Sequence, residues 1–269
     1  MRLLSPFVRK FTLHLALKMT EESRYLEYGE GEVIVLLHGL FGALSNFDGV
    51  IQHFSQKYKV LFPMLPLYTS SLLDSTVSGM VDFVANLILE KNYTKVHLVG
   101  NSLGGHIGLV YALRNLEKVS SITLTGSSGL FENSLGDGYP NKESYEYVKK
   151  KTEYTFYNPE MASKELVDEV YETVNNRAKA IRVICLAKSA LRHNLRTELS
   201  KIDIPVNLIW GKNDNITPLF VGEEFQKLLP HAQLNVIDKC GHAAMMEHPN
   251  EFNAILESFL TSLKKTEIQ

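Results

Sequence analysis

The pentapeptide Gly100-Asn101-Ser102-Leu103-Gly104 stands between an apolar run at residues 96–99 and a second stretch with helical spacing. A serine in that position lies on a sharp turn from strand to helix. Glycines two residues to either side keep bulk out of the corner, where the backbone is strained and the helix returns close against the strand. The hydroxyl is thereby held out above the edge of a sheet. The pattern predicts a strand, a tight corner and a helix in succession, which is the repeating unit of a parallel sheet.

Two later strand ends carry the groups that could activate such a hydroxyl. Asp214 closes the stretch 206–214, and His242 follows the apolar run 234–237, so the chain order is serine, acid, histidine. A serine hydroxyl is a weak nucleophile until a neighbouring base accepts its proton, and the base in turn needs a carboxylate to orient it. Ser102, His242 and Asp214 are therefore the expected catalytic residues. Upstream, residues 33–37 run into His38-Gly39-Leu40-Phe41-Gly42, a loop able to present a backbone N–H group. The backbone N–H groups of Leu40 and Leu103 are the expected oxyanion donors. Asp238 competes with Asp214, but it lies four residues before His242 on the same strand end and approaches the ring from the wrong side. His38 reads as a tether for its loop, His106 as a packing residue, and His248 as a surface or capping residue. Ser127 and Ser128 lack the elbow spacing and are read as part of the pocket rim.

Runs at 59–62, 95–99, 119–125, 206–210 and 233–237 alternate with helical stretches, which predicts an α/β fold whose mostly parallel sheet is covered on both faces. Residues 130–200 lack strand alternation and read as a helical cap inserted between two sheet strands, leaving 1–129 and 201–269 as the core. Alternating large apolar residues at 11–17 predict a first strand pairing with 24–28. A chain of 269 residues with 45% hydrophobic content can bury one large core. Its net charge of −2 gives no reason to expect nucleic acid. Cys185 and Cys240 form neither a disulfide framework nor a metal-ligand pattern, so no metal or other cofactor is expected. No stretch of about 18 apolar residues exists to span a membrane, and the cytoplasm is the default location. The sequons at Asn92 and Asn215 read as unglycosylated, since a glycan at Asn215 would obstruct the proposed acid.

On these residues the chain resembles the α/β-hydrolases over nearly its whole length. Within that superfamily, Gly100-Asn101-Ser102-Leu103-Gly104-Gly105-His106, Lys239-Cys240-Gly241-His242, Glu247-His248-Pro249 and Phe252-Asn253 are similar to the meta-cleavage-product hydrolases, which split carbon–carbon bonds. The resemblance implies substrate contacts from Asn101 and from Arg177, a cap arginine whose fork of donors suits both oxygens of a carboxylate. Phe41 and Ala243, beside the oxyanion loop and the histidine, complete the expected substrate contacts. The chain also departs from that subfamily. Ala243 stands where a tryptophan usually follows the histidine, the loop 38–42 is less rich in glycine, and the usual Asp-x-Pro-Gly-x-Gly-x-Ser segment is reduced to Met64-Leu65-Pro66-Leu67-Tyr68-Thr69-Ser70-Ser71. The expected function is hydrolysis of a small, largely apolar ester through an acyl-serine. The alternatives are carbon–carbon bond hydrolysis of a dienone acid and ligand binding without catalysis. Phe131, Tyr139, Tyr145 and Phe156 either line an acyl pocket or pack the cap onto the core.

Overall fold

The computed structural model describes residues 24–41, 47–131 and 141–266. The strand expected at 11–17, Gly42 of the oxyanion loop and Tyr139 lie outside the described residues. Seven strands, β1 (Tyr25–Tyr28), β2 (Val33–Leu37), β3 (Lys59–Pro63), β4 (Val96–Asn101), β5 (Val119–Thr125), β6 (Val206–Gly211) and β7 (Ala232–Ile237), form one sheet in the order β1-β3-β2-β4-β5-β6-β7. β1 pairs antiparallel with β3, with Tyr25 opposite Pro63 and Tyr28 opposite Val60. All the other pairings are parallel.

The strands that carry the elbow and its neighbours are buried along their whole length. β2, β4 and β6 have no exposed position, as strands covered on both faces require. Successive side chains alternate between two apolar layers. Leu208 and Trp210 of β6 pack on one side with α2 (Val77–Glu90), α3 (Leu103–Arg114) and α7 (Leu219–Leu228). Ile209 packs on the other side with α1 (Asp48–Phe54) and α9 (Pro249–Thr266). Burial of these aliphatic and aromatic side chains is the main favourable contribution, at roughly 1.5–3 kcal/mol for each fully buried one.

Between β5 and β6 the described residues hold α4 (Tyr145–Glu153), α5 (Lys164–Asn175) and α6 (Arg177–Arg192), in the stretch where the sequence predicts an inserted cap. Each begins on a side chain that accepts a free backbone N–H: Ser144 from Tyr147, Ser163 from Leu166, and Asn176 from Ala178 and Lys179. Val148 of α4 and Val170 and Val174 of α5 form a small apolar cluster against which Phe41 packs. The loop after β2 is thus in contact with the insertion.

Candidate active site

Ser102 occupies the corner between β4 and α3 with φ 54° and ψ −119°, a region that side chains other than glycine seldom enter. Three backbone groups and one hydroxyl fix it there. Its N–H donates to Thr125 O at 3.1 Å, and its carbonyl accepts the N–H groups of His106 at 3.2 Å and Ser128 at 3.1 Å. The hydroxyl of Ser128 adds a bond to the same carbonyl at 3.3 Å. The flanking glycine is required by close approach, since a Cβ at Gly104 would lie 1.9 Å from Leu37 O. Ser128, expected at a pocket rim, is here a support for the elbow.

Asp214 follows β6 and is almost wholly buried. Its Oδ1 accepts the N–H groups of Ile216 at 2.8 Å and Thr217 at 2.9 Å. Its Oδ2 accepts the Thr217 hydroxyl at 2.9 Å and meets Nδ1 of His242 at 2.9 Å. Such bonds fix the carboxylate in place and orient the ring it faces. With Nδ1–H donated to Asp214, Nε2 is the nitrogen left for other chemistry. Thr217 was not marked by any motif; the only local signal is a threonine three residues after an aspartate, where a turn bond can form. Beneath this loop the buried Trp210 donates its indole N–H to Thr217 O at 2.7 Å.

Asp238, the competing acid, is exposed and pairs with Lys212 at 3.0 Å, which holds its carboxyl below the usual range. Cys240 is buried, and burial pushes its thiol well up. Asn101 bridges the serine turn and the histidine loop: its amide donates to Thr125 O at 3.1 Å and to His242 O at 3.2 Å. Both amide hydrogens are thereby committed to the backbone.

The loop bearing Leu40 is anchored from the segment 64–71 that looks degraded in sequence. His38 donates from Nδ1 to Gly39 O at 2.9 Å and accepts the Leu65 N–H on Nε2 at 3.2 Å, while Tyr68 donates its hydroxyl to Leu40 O at 3.0 Å. Burial pulls His38 down to about 4, so the ring is neutral and can both donate and accept. Leu65 and Tyr68 act through contacts that only the fold creates, so no sequence motif marks them. Leu103, the other expected oxyanion donor, is the first residue of α3, where backbone N–H groups are free of intrahelical partners.

Among the expected substrate contacts, Ala243 is buried in the same apolar layer as Phe156. Arg177 is exposed as the first residue of α6 and has no hydrogen bond or ion pair among the described residues. Tyr145 is committed elsewhere, stacked edge-on against Tyr171 and donating to Asp168 at 2.7 Å. Phe131 packs edge-on against Phe220. His106 is buried and stacked on His193 at 5.3 Å, and burial drives its basicity down to about 3. His248 donates to Lys239 O at 3.0 Å. Among the described residues no group of three or more His, Cys, Asp or Glu side chains could hold a metal, and no helix is long and apolar enough to cross a membrane.

Comparison with known proteins agrees with this architecture. The alpha/beta hydrolase fold family matches residues 32–249. A 2-hydroxy-6-oxononadienedioate/2-hydroxy-6-oxononatrienedioate hydrolase of Pseudomonas sp is 27% identical over 85% of this chain and 88% of its own length. The monoacylglycerol lipase ABHD6 of Bos taurus is 25% identical over 89% of this chain and 78% of its own. Among solved structures, MGS-MChE2, an alpha/beta hydrolase enzyme from a lagoon-sediment metagenome of Mar Chica, Morocco, is 47% identical with a TM-score of 0.74, covering 88% of this chain and 94% of that one. The strand order, the serine corner and these matches lead to one family, and the chain belongs to the alpha/beta hydrolases.

Proposed function

We propose that the protein hydrolyses small, largely apolar carboxylic esters through an acyl-serine. The observation that carries this reading is the buried 2.9 Å bond between Asp214 and Nδ1 of His242, in a chain whose Ser102 is held at φ 54° in the corner between β4 and α3. In the first step Oγ of Ser102 bonds to the ester carbonyl carbon as its proton passes to Nε2 of His242. The backbone N–H groups of Leu103 and Leu40 receive the developing oxyanion, and each such donor is worth about 3 kcal/mol in the transition state. The alcohol leaves with the proton from His242, and water, deprotonated by the same ring, then releases the acid. The helices between β5 and β6 act as the cap that bounds the acyl pocket.

Two features favour an ester over a carbon–carbon bond: Ala243 stands where the subfamily resemblance has tryptophan, and Arg177 is exposed rather than buried as a carboxylate ligand would be. Carbon–carbon hydrolysis of a dienone acid is the second reading, supported by the activity that names the Pseudomonas relative.

A graded panel of p-nitrophenyl esters beside a meta-cleavage dienone acid separates the two readings. Ester turnover exceeding that of the acid is expected. Ser102→Ala should lower kcat by about 10³-fold or more with the fold retained, and a fluorophosphonate should label Ser102 of the wild type. Labelling of another serine, or near-normal activity in the variant, refutes the assignment.

A further inference from the structure

Glu247, the last residue of α8 (Ala244–Glu247), joins the loop just before its helix to a segment 90 residues earlier in the chain. Its Oε1 accepts the N–H of Gly241, the residue before His242, at 2.7 Å. Its Oε2 accepts the N–H groups of Tyr157 at 2.7 Å and Asn158 at 3.3 Å, in the loop that follows α4. A direct bond from His242 N–H to Thr155 O, at 2.9 Å, joins the same two segments.

The catalytic steps above leave this carboxylate without a role. It is half-buried, and the cost of burial pushes its pKa up while the three N–H donors pull it down. The loop that carries His242 belongs to no helix or strand and contains Lys239 at φ 51°, in the left-handed region. Such a segment needs outside support to hold a ring in one position. Bonds from N–H groups to a charged acceptor are the strong kind. Here they come from both sides of one side chain.

We propose that Glu247 is a positioning residue: it clasps the His242 loop to the 155–158 segment of the insertion, so that the imidazole is correctly placed only when the insertion is seated on the core. The proposal rests on the reading of His242 as the base for Ser102. Its consequence is that seating of the insertion completes the proton relay and does not merely shape the pocket.

Glu247→Gln tests it. The amide keeps the volume, but its single oxygen can accept from one side only, while its NH₂ faces an N–H on the other. Turnover of a p-nitrophenyl ester is expected to fall about tenfold or more in kcat, with KM changed less than about threefold, because a misplaced base slows chemistry more than binding. Amide hydrogen exchange in peptides covering 155–158 and 240–243 should quicken together. Glu247→Asp, which keeps the charge but not the reach, should lose less kcat than Glu247→Gln. Melting temperatures of both variants show whether a loss reflects unfolding. Faster exchange with unchanged kcat would make the clasp merely structural, and unchanged exchange would show that no clasp exists; either result overturns the proposal. Wild-type protein that hydrolyses no ester and takes no fluorophosphonate at Ser102 refutes the underlying reading, and this proposal falls with it.

Discussion

Oδ2 of Asp214 and Nδ1 of His242 meet at 2.9 Å in a buried loop, whereas Asp238, four residues before the same histidine, faces outward to Lys212. The two acids should therefore respond differently to the same change. Asp214→Asn presents an amide to Nδ1, favours the wrong tautomer, and should lower kcat by about 10³-fold or more. Asp238→Asn should leave kcat within about twofold, since a surface ion pair contributes little. Steady-state kinetics on one p-nitrophenyl ester decides the matter, and the reverse ranking would transfer the acid role to Asp238.

Gly126 lies at φ 50° directly after β5, and a Cβ there would stand 2.7 Å from Nδ1 and 2.9 Å from Cε1 of His242. Gly126→Ala should displace the imidazole and reduce kcat by about 100-fold. The same variant should keep its circular dichroism, because the collision is confined to the ring and carbonyl of one residue at the strand's end. Full activity in Gly126→Ala would mean that the ring has room to move and that its observed position is not the working one.

His38 gives the protein a specific acid sensitivity. Its folded pKa, about 4, lies below the ordinary histidine value, so the unfolded chain takes up a proton that the folded one refuses. Stability from this group is fully present above about pH 6.5 and is lost as pH falls toward 4. Protonation also removes the acceptor for the Leu65 N–H. Thermal melting measured from pH 7 to 4 should show a steeper decline in wild type than in His38→Asn, and parallel curves would remove His38 from the account.

Arg177 distinguishes the two chemistries. Exposed as it is, Arg177→Ala should change kcat/KM little for neutral esters and little for a dienone acid. A shielded bidentate contact to a carboxylate would instead be worth about 2 to 3 kcal/mol, read as a selective loss on the acid. Such a loss would promote carbon–carbon hydrolysis to the first reading.

The strands were legible because β2 is an unbroken apolar run and β4, β5 and β6, also inside the sheet, are built round Val, Ile and Leu with few charges, and the expected ranges differ from the observed ones by a residue or two at the ends. Their lateral order was not legible. Nothing local in 25–28 announces antiparallel pairing with β3, a choice made by contacts distant in sequence. The same division runs through the site. Ser102, Asp214 and His242 declare themselves by type, order and position at strand ends. Leu65 and Tyr68 hold the Leu40 loop, and Glu247 the His242 loop, through hydrogen bonds that exist only after the chain has closed, each made with a backbone N–H or C=O on one side. A backbone N–H leaves no mark on residue type, so those partnerships had no signal in the sequence.

The chain has one tryptophan, and Trp210 sits buried with its indole N–H bonded to Thr217 O, directly under the aspartate loop. Intrinsic fluorescence excited at the red edge of protein absorption therefore comes from a single spot. Its emission wavelength should move to the red when water reaches that loop, so one optical signal follows the integrity of the Asp214 support rather than an average over the molecule. Compared with far-ultraviolet dichroism during denaturant titration, it would reveal whether the acid's surroundings loosen before the sheet does.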